Sequence, residues 1–214
     1  RILFKNFLFV SIGSNACKIE HMKILVIFGT RPEAIKMAPL VLRLRHDLDV
    51  KVCVTGQHRE MLDQVLELFQ ITPEYDLNLM KPDQNLANLT GEVLNGVTKI
   101  LQEEKFDWVL VQGDTTSTMA GAMAAFYQKV PVGHVEAGLR TYNLASPFPE
   151  ELNRQLTTRM SLLHFAPTAE SKQNLIKEGF SENNISITGN TVIEALNWVL
   201  KHSVSKDTLL TTDF

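Results

Sequence analysis

Hydrophobic positions along the chain follow two alternating patterns. Short apolar runs typical of buried strands predict strands at residues 23–28, 50–55, 108–112, 132–135, 162–166 and 185–188. Apolar residues at helical spacing predict helices at 32–46, 60–69, 85–104, 115–128, 149–161, 169–178 and 192–202. A further short strand at 76–80 is less regular, and Pro39 is expected to kink the first helix or to accompany an irregular first turn. Because strands and helices alternate, the pattern predicts α/β architecture with a Rossmann-like, doubly wound parallel sheet.

Residues 1–21 do not fit this alternation. They contain two early basic residues and an apolar run at 7–12, which is shorter than the core of a signal peptide. Met22 immediately precedes the first clean strand. We therefore interpret 1–21 as an extension outside the fold, with a degenerate export signal as the alternative.

Composition and net charge limit the kinds of molecule that this protein is expected to bind. The 214 residues are enough to bury a sizeable core, and the net charge of −3 does not favour binding to nucleic acid or to an anionic membrane. The two cysteines, Cys17 and Cys53, form neither a disulfide framework nor a zinc spacing. No apolar run reaches the roughly 18 residues of a membrane-spanning helix.

Acidic residues follow two of the predicted strands. Asp114 comes after the strand at 108–112, Glu136 after the strand at 132–135, and Glu150 begins a later helix. Ligands of open α/β sheets bind at the carboxyl ends of the strands. In the usual Rossmann order the first and fourth strands are neighbours, so Arg31, Asp114 and Glu136 are expected at adjacent strand ends. The sequence thus predicts one cleft that gathers these carboxylates.

Each of these acids also has a purely structural interpretation. Asp114 precedes a helix and could be its N-cap. Glu136 ends a buried strand and needs a partner, for which Arg140 and Arg31 are candidates. Glu150 lies in a first helical turn, where a carboxylate favours the helix dipole.

The first loop and one histidine leave similar alternatives. The segment Gly29-Thr30-Arg31-Pro32-Glu33 lacks both the dinucleotide fingerprint and the Walker A pattern. Arg31 and Lys36 at a helix N-terminus could hold a phosphate, or they could simply face solvent. His134 in an apolar strand is more typical of a hydrogen-bonded core histidine than of a catalyst.

An ordered set of motifs resembles one known family. The motifs are MKILVIFGTRPEAIKMAPLV, TGQHREMLDQVL, VLVQGDTTST, PVGHVEAGLRT, PFPEELNR and ITGNTVIEAL, and they extend from Met22 to about Leu200. Together they closely resemble the non-hydrolysing UDP-N-acetylglucosamine 2-epimerases of bacteria. The resemblance implies interconversion of UDP-N-acetylglucosamine (UDP-GlcNAc) and UDP-N-acetylmannosamine (UDP-ManNAc) for cell-surface polysaccharide synthesis. It also implies a cytoplasmic homodimer that uses no cofactor and no metal.

The resemblance carries an expectation about domains. Family members are similar to the two-domain GT-B glycosyltransferases, with the active site between two Rossmann-like halves. Residues 22–190 would be the N-terminal Rossmann-like domain, and residues 191–214 the start of the interdomain segment. The C-terminal domain would be missing here, so the chain alone is expected to be inactive.

The resemblance also assigns site residues. Asp114, Glu136 and Glu150 match the family's acidic catalytic positions. Arg31 and Lys36 match substrate-binding positions, and Asp114 and Glu136 are expected to contact the substrate as well. The implied reaction eliminates UDP across carbons 1 and 2 of the sugar and then adds it back. Asp114 and Glu136 are expected to take part in the elimination, and Glu150 in the proton transfer.

One segment departs from the family pattern. Some relatives bind a second UDP-GlcNAc as an activator through two glutamines and an arginine. Gln57 matches one of these positions, but Glu60 and Asp83 stand at the other two, and acids there disfavour a diphosphate. Gln57 is therefore only a candidate allosteric residue.

Three other functions remain open at this point. A hydrolysing relative would release N-acetylmannosamine and UDP. A GT-B glycosyltransferase would transfer the sugar to an acceptor, although the segment FGTRPEAIK argues against it. A non-enzymatic fragment would bind a nucleotide sugar weakly or not at all.

Overall fold

A single parallel sheet organises the chain. The computed structural model describes residues 22–56, 59–79 and 85–203, with only the backbone described at 59, 60 and 203. The seven strands of the sheet are β1 (Lys23–Phe28), β2 (Asp49–Val54), β3 (Tyr75–Asp76), β4 (Trp108–Gln112), β5 (Val132–Val135), β6 (Leu163–Ala166) and β7 (Ile185–Ile187). The α-helices are α1 (Arg31–Arg45), α2 (Arg59–Leu68), α3 (Leu86–Glu103), α4 (Thr116–Tyr127), α5 (Glu150–Met160), α6 (Ala169–Lys177) and α7 (Val192–Ser203).

The strand order is that of a Rossmann-like sheet. Within the described residues the order is β3-β2-β1-β4-β5-β6-β7, and every neighbouring pair is parallel. The predicted pairing of the first and fourth strands is confirmed, because Leu25 lies opposite Val109. The sheet reverses its winding between β1 and β4, and this is the point where open α/β sheets bind ligands.

Side chains of β1 alternate between two apolar layers, as the pleat of a strand requires. Ile24, Val26 and Phe28 pack with residues of α1 and α2 on one face. Leu25 and Ile27 pack with residues of α3 and α4 on the other. Burial on both faces explains why this strand is a continuous apolar run.

Apart from one irregular strand, the observed strands and α-helices match the predicted ones to within one residue at each end, and two features differ. The predicted strand at 76–80 is only the two-residue β3, and Met80 lies outside the described residues. Helix α1 contains Pro39 and begins with a regular capping box, so the expectation of an irregular first turn is wrong. Residues 1–21 and 204–214 lie outside the described part of the chain. No helix among the described residues combines the length and the apolar character needed to cross a bilayer.

A buried carboxylate joins the loops after β1 and β4. One oxygen of Glu33, Oε2, accepts hydrogen bonds from the backbone N–H groups of Gly29 and Thr30 at 2.9 and 2.8 Å and from the Thr30 hydroxyl at 2.9 Å. The other, Oε1, accepts from the hydroxyls of Thr115 and Thr118 at 2.7 and 2.8 Å. Thr30 and Thr115 are the N-caps of α1 and α4. Glu33 therefore holds two helix N-termini together beside the switch point.

We expect Glu33→Ala to lower the free energy of unfolding by about 2–4 kcal/mol, because it leaves buried donors without an acceptor. Urea denaturation of the purified chain measures this change. Glu103→Gln is the control, because Glu103 is exposed on α3 and its change should stay within about 0.5 kcal/mol. Equal stability of the two variants would contradict the assigned role of Glu33.

Candidate active site

A cavity of about 520 Å³ opens at the switch point. Its described lining residues are Thr30, Arg31, Pro32, Glu33, Lys36, Met61, Gln112, Gly113, Asp114, Thr115 and Glu136. They come mainly from the loop after β1, the first turns of α1 and the residues that follow β4 and β5. The volume falls within the range of about 300–1,000 Å³ that is usual for small-molecule sites.

Glu136 has a strained backbone at the end of β5. Its φ of 63° lies in the left-handed region, which few residues other than glycine adopt. Pairing with β6 continues immediately afterwards, because the N–H of Ala137 donates to Phe165 O at 3.0 Å. Such strain costs on the order of 1–3 kcal/mol and is concentrated at functional sites. The turn directs the Glu136 carboxylate into the cavity.

The charge partner of Glu136 is Lys36. Lys36 Nζ lies 2.8 Å from Oε1 and 2.6 Å from Oε2 of Glu136, and the side-chain amide of Gln112 also donates to Oε2. The prediction that Arg140 or Arg31 pairs with Glu136 is therefore wrong. The Arg140 side chain is fully buried and pairs with Glu178 at 2.7 Å. Lys36 lies in the second turn of α1, and it reaches Glu136 because β1 and β5 flank β4, which brings the start of α1 close to the end of β5.

Asp114 pairs with Arg154 of α5. Burial raises the pKa of Asp114, the Arg154 cation opposes that rise, and the Glu136 and Glu150 carboxylates add to it. The interpretation of Asp114 as an N-cap is wrong, because the Thr115 hydroxyl caps α4 by accepting from the N–H of Thr118 at 3.1 Å. The side chain of Asp114 therefore remains available to the cavity that it lines.

Glu150 lies near this group but is not one of the described residues that line the cavity. Its charge contributes to the raised pKa of Asp114, which places the two carboxylates within electrostatic reach. Its Oε2 atom is buried and has no hydrogen-bond partner among the described residues. Glu150 also occupies the first turn of α5, as the helix-dipole interpretation requires. The structure thus brings Asp114 and Glu136 together at one cavity, and it places Glu150 within electrostatic reach of Asp114.

Of the other predicted site residues, the structure describes Arg31 and Lys36. Arg31 and Lys36 both line the cavity, and Arg31 is exposed there. Gln57 and Asp83 lie outside the described residues, as does the side chain of Glu60. An allosteric site around Gln57 therefore stays a prediction.

A buried histidine supports the turn that leads into the candidate active site. His134 is fully buried, which lowers its pKa to about 3, and its Nε2–H donates to Gly113 O at 2.7 Å. It is a core histidine, as the sequence favoured, and it fixes the turn that carries Asp114.

Glu33 and Arg154 were not predicted as site residues, although Thr30 and Glu33 together form a capping-box signature that the sequence displays. Within the described residues no cluster of His, Cys, Asp and Glu is arranged to bind a metal ion.

Comparison with known proteins supplies the family. The family model for UDP-N-acetylglucosamine 2-epimerase matches residues 41–212. The UDP-N-acetylglucosamine 2-epimerase of Escherichia coli O157:H7 is 60% identical over 190 residues, covering 88% of this chain and 50% of that protein. This chain therefore spans about half the length of the curated relatives it matches.

Solved structures agree with this comparison. The crystal structure of the Neisseria meningitidis UDP-GlcNAc 2-epimerase bound to UDP-GlcNAc is 57% identical with a TM-score of 0.81, covering 85% of this chain and 50% of that one. A lipopolysaccharide outer core galactosyltransferase is 14% identical with a TM-score of 0.56, covering 79% of this chain and 46% of that one, and shows a likeness of fold alone. The predicted Rossmann-like half of a GT-B-like fold is confirmed. With 172 of its residues matched by the family model (212 − 41 + 1), the chain belongs to the UDP-N-acetylglucosamine 2-epimerase family.

Proposed function

We propose that this chain supplies one wall of the active site of an enzyme that interconverts UDP-GlcNAc and UDP-ManNAc. One observation carries the proposal: Asp114 and Glu136 line a single cavity with Lys36 and Arg31, in a chain of this family. The relative from Neisseria meningitidis was solved with UDP-GlcNAc bound, which supports the choice of substrate. The full-length enzyme would be a cytoplasmic homodimer that works without a redox cofactor.

The chemistry explains why acids are needed. The hydrogen on carbon 2 is not acidic, because no carbonyl is adjacent to that carbon. In the proposed reaction a base removes this proton while the bond from carbon 1 to the diphosphate oxygen breaks. UDP leaves as an anion and a carbon 1–carbon 2 double bond forms, giving a 2-acetamidoglucal. A proton is then delivered to the other face of carbon 2, and UDP returns to carbon 1, so that atoms and charges balance.

The cavity lining and the nearby Glu150 offer the groups that these steps require. Positive charge builds up at carbon 1 as UDP departs, and the nearby Asp114 and Glu136 carboxylates would stabilise it. Glu150 would transfer the proton at carbon 2, and its buried Oε2 has no hydrogen-bond partner among the described residues. Arg31 and Lys36 at the N-terminus of α1 would attract the leaving diphosphate.

We expect Asp114→Asn, Glu136→Gln and Glu150→Gln each to slow exchange of the carbon-2 hydrogen with solvent by about 100-fold or more, since positioned acids and bases contribute at least that much. Deuterium incorporation from heavy water, followed by NMR in the full-length gene product, measures the exchange. Asp107→Asn is the matched control, because Asp107 is exposed at the opposite end of β4. Near-normal exchange in all three site variants would refute the proposed roles.

The product distinguishes the proposed reaction from hydrolysis. We expect the full-length gene product to convert UDP-GlcNAc into UDP-ManNAc, because the eliminated UDP is added back. Anion-exchange chromatography of the reaction mixture separates the nucleotide sugars from free UDP. Accumulation of free UDP and N-acetylmannosamine in equal amounts would instead identify a hydrolysing 2-epimerase.

The isolated chain of 214 residues should show no turnover. The reason is that it spans about half of its relatives' length, and we propose that a second domain completes the cleft. A coupled assay on highly purified chain, with the full-length gene product as the positive control, measures this. Epimerase activity that remains with the isolated chain through successive purification steps would overturn the two-domain proposal.

A further inference from the structure

Two consecutive residues of α5 hold the end of β4 in place. The guanidinium of Arg154 contacts Asp114 Oδ2, and its side chain is only 12% exposed. The neighbouring Asn153 donates from its side-chain amide to the backbone carbonyl of Asp114 at 3.0 Å. Both the backbone and the carboxylate of Asp114 are therefore fixed by the same turn of one helix.

Arg154 is in turn oriented by Glu151, one turn earlier on α5. Glu151 has a fully buried side chain, and its Oε2 lies 3.5 Å from Nη1 of Arg154. The same carboxylate accepts the backbone N–H groups of Thr141 and Tyr142, each at 3.0 Å. A continuous chain of polar contacts thus runs from the loop after β5, through Glu151 and Arg154, to Asp114.

We propose that Arg154 is a positioning residue that aims the Asp114 carboxylate at the cavity and supplies its counter-charge, with Glu151 holding the arginine in place. The guanidinium of Arg154 contacts the carboxylates of Asp114 and Glu151, so in this proposal it acts on the reaction through Asp114. The catalytic consequence of this role rests on the proposed function.

The charges around Asp114 explain why the cation of Arg154 matters for the ionisation of this carboxylate. Burial and the carboxylates of Glu136 and Glu150 all raise the pKa of Asp114, and the Arg154 cation opposes them. Loss of the cation would therefore raise that pKa further. If the ionised carboxylate is the active form, activity disappears as the pH falls through this pKa. A higher pKa then moves the acid limb of the pH–rate profile to higher pH.

The test compares Arg154→Gln and Arg154→Lys in the full-length gene product. Arg154→Gln keeps a hydrogen-bond donor but removes the charge, so the acid limb of kcat should move up by about one pH unit or more. Arg154→Lys keeps the charge but loses the planar fork, so kcat should fall by about 10-fold while the limb stays in place. KM should change by less than about 3-fold in both variants, because the substrate loses no direct contact.

The control is Arg159→Gln, which changes an exposed arginine on the same helix and should leave the acid limb unmoved. An unmoved limb in Arg154→Gln, or an equal shift in Arg159→Gln, would overturn the role. If Arg154→Gln does not fold, Arg154→Lys decides, since a limb that moves despite the retained charge also overturns it.

A second measurement separates this inference from the proposed function. Carbon-13 NMR of the Asp114 carboxyl carbon in the same variants follows its titration without any turnover. A wild-type enzyme with no epimerase activity would defeat the proposed function alone. An Asp114 titration that is identical in wild type and Arg154→Gln would defeat the role of Arg154, whatever the activity.

Discussion

Two carboxylates at one edge of a parallel sheet are each paired with a cation from a different helix. Lys36 of α1 binds Glu136, and Arg154 of α5 contacts Asp114. A partly buried carboxylate is costly without such a partner, so the two ion pairs are what allow the acids to lie close together. Helices α1 and α5 therefore each supply one of the cations on which the candidate active site depends.

Two buried polar side chains outside these ion pairs make this arrangement rigid. Glu33 ties the N-termini of α1 and α4 together through backbone and hydroxyl donors, and His134 holds the Gly113 carbonyl. The left-handed backbone at Glu136 persists because pairing between β5 and β6 continues on its C-terminal side. Strain at one residue is thus supported by an otherwise regular sheet, which is how functional strain is usually maintained.

The sequence predicted the sheet well because β1, β4 and β5 are buried on both faces and are therefore mainly apolar. It also placed Asp114 and Glu136 at adjacent strand ends, since that follows from strand order alone. It did not predict the partners of these acids. The candidates for Glu136 were Arg140 and Arg31, whereas its partner in space is Lys36, 100 residues away in sequence. Such pairings depend on side-chain reach across the sheet, which periodicity does not encode.

The proposed reaction requires the sugar to lie against these acids. A crystal structure of the full-length gene product with UDP-GlcNAc tests that most directly. Carbon 2 of the sugar should lie within about 3.5 Å of a carboxylate oxygen of Asp114, Glu136 or Glu150, the separation at which reacting atoms are poised. A sugar ring bound away from all three, with the diphosphate far from Arg31 and Lys36, would contradict the account.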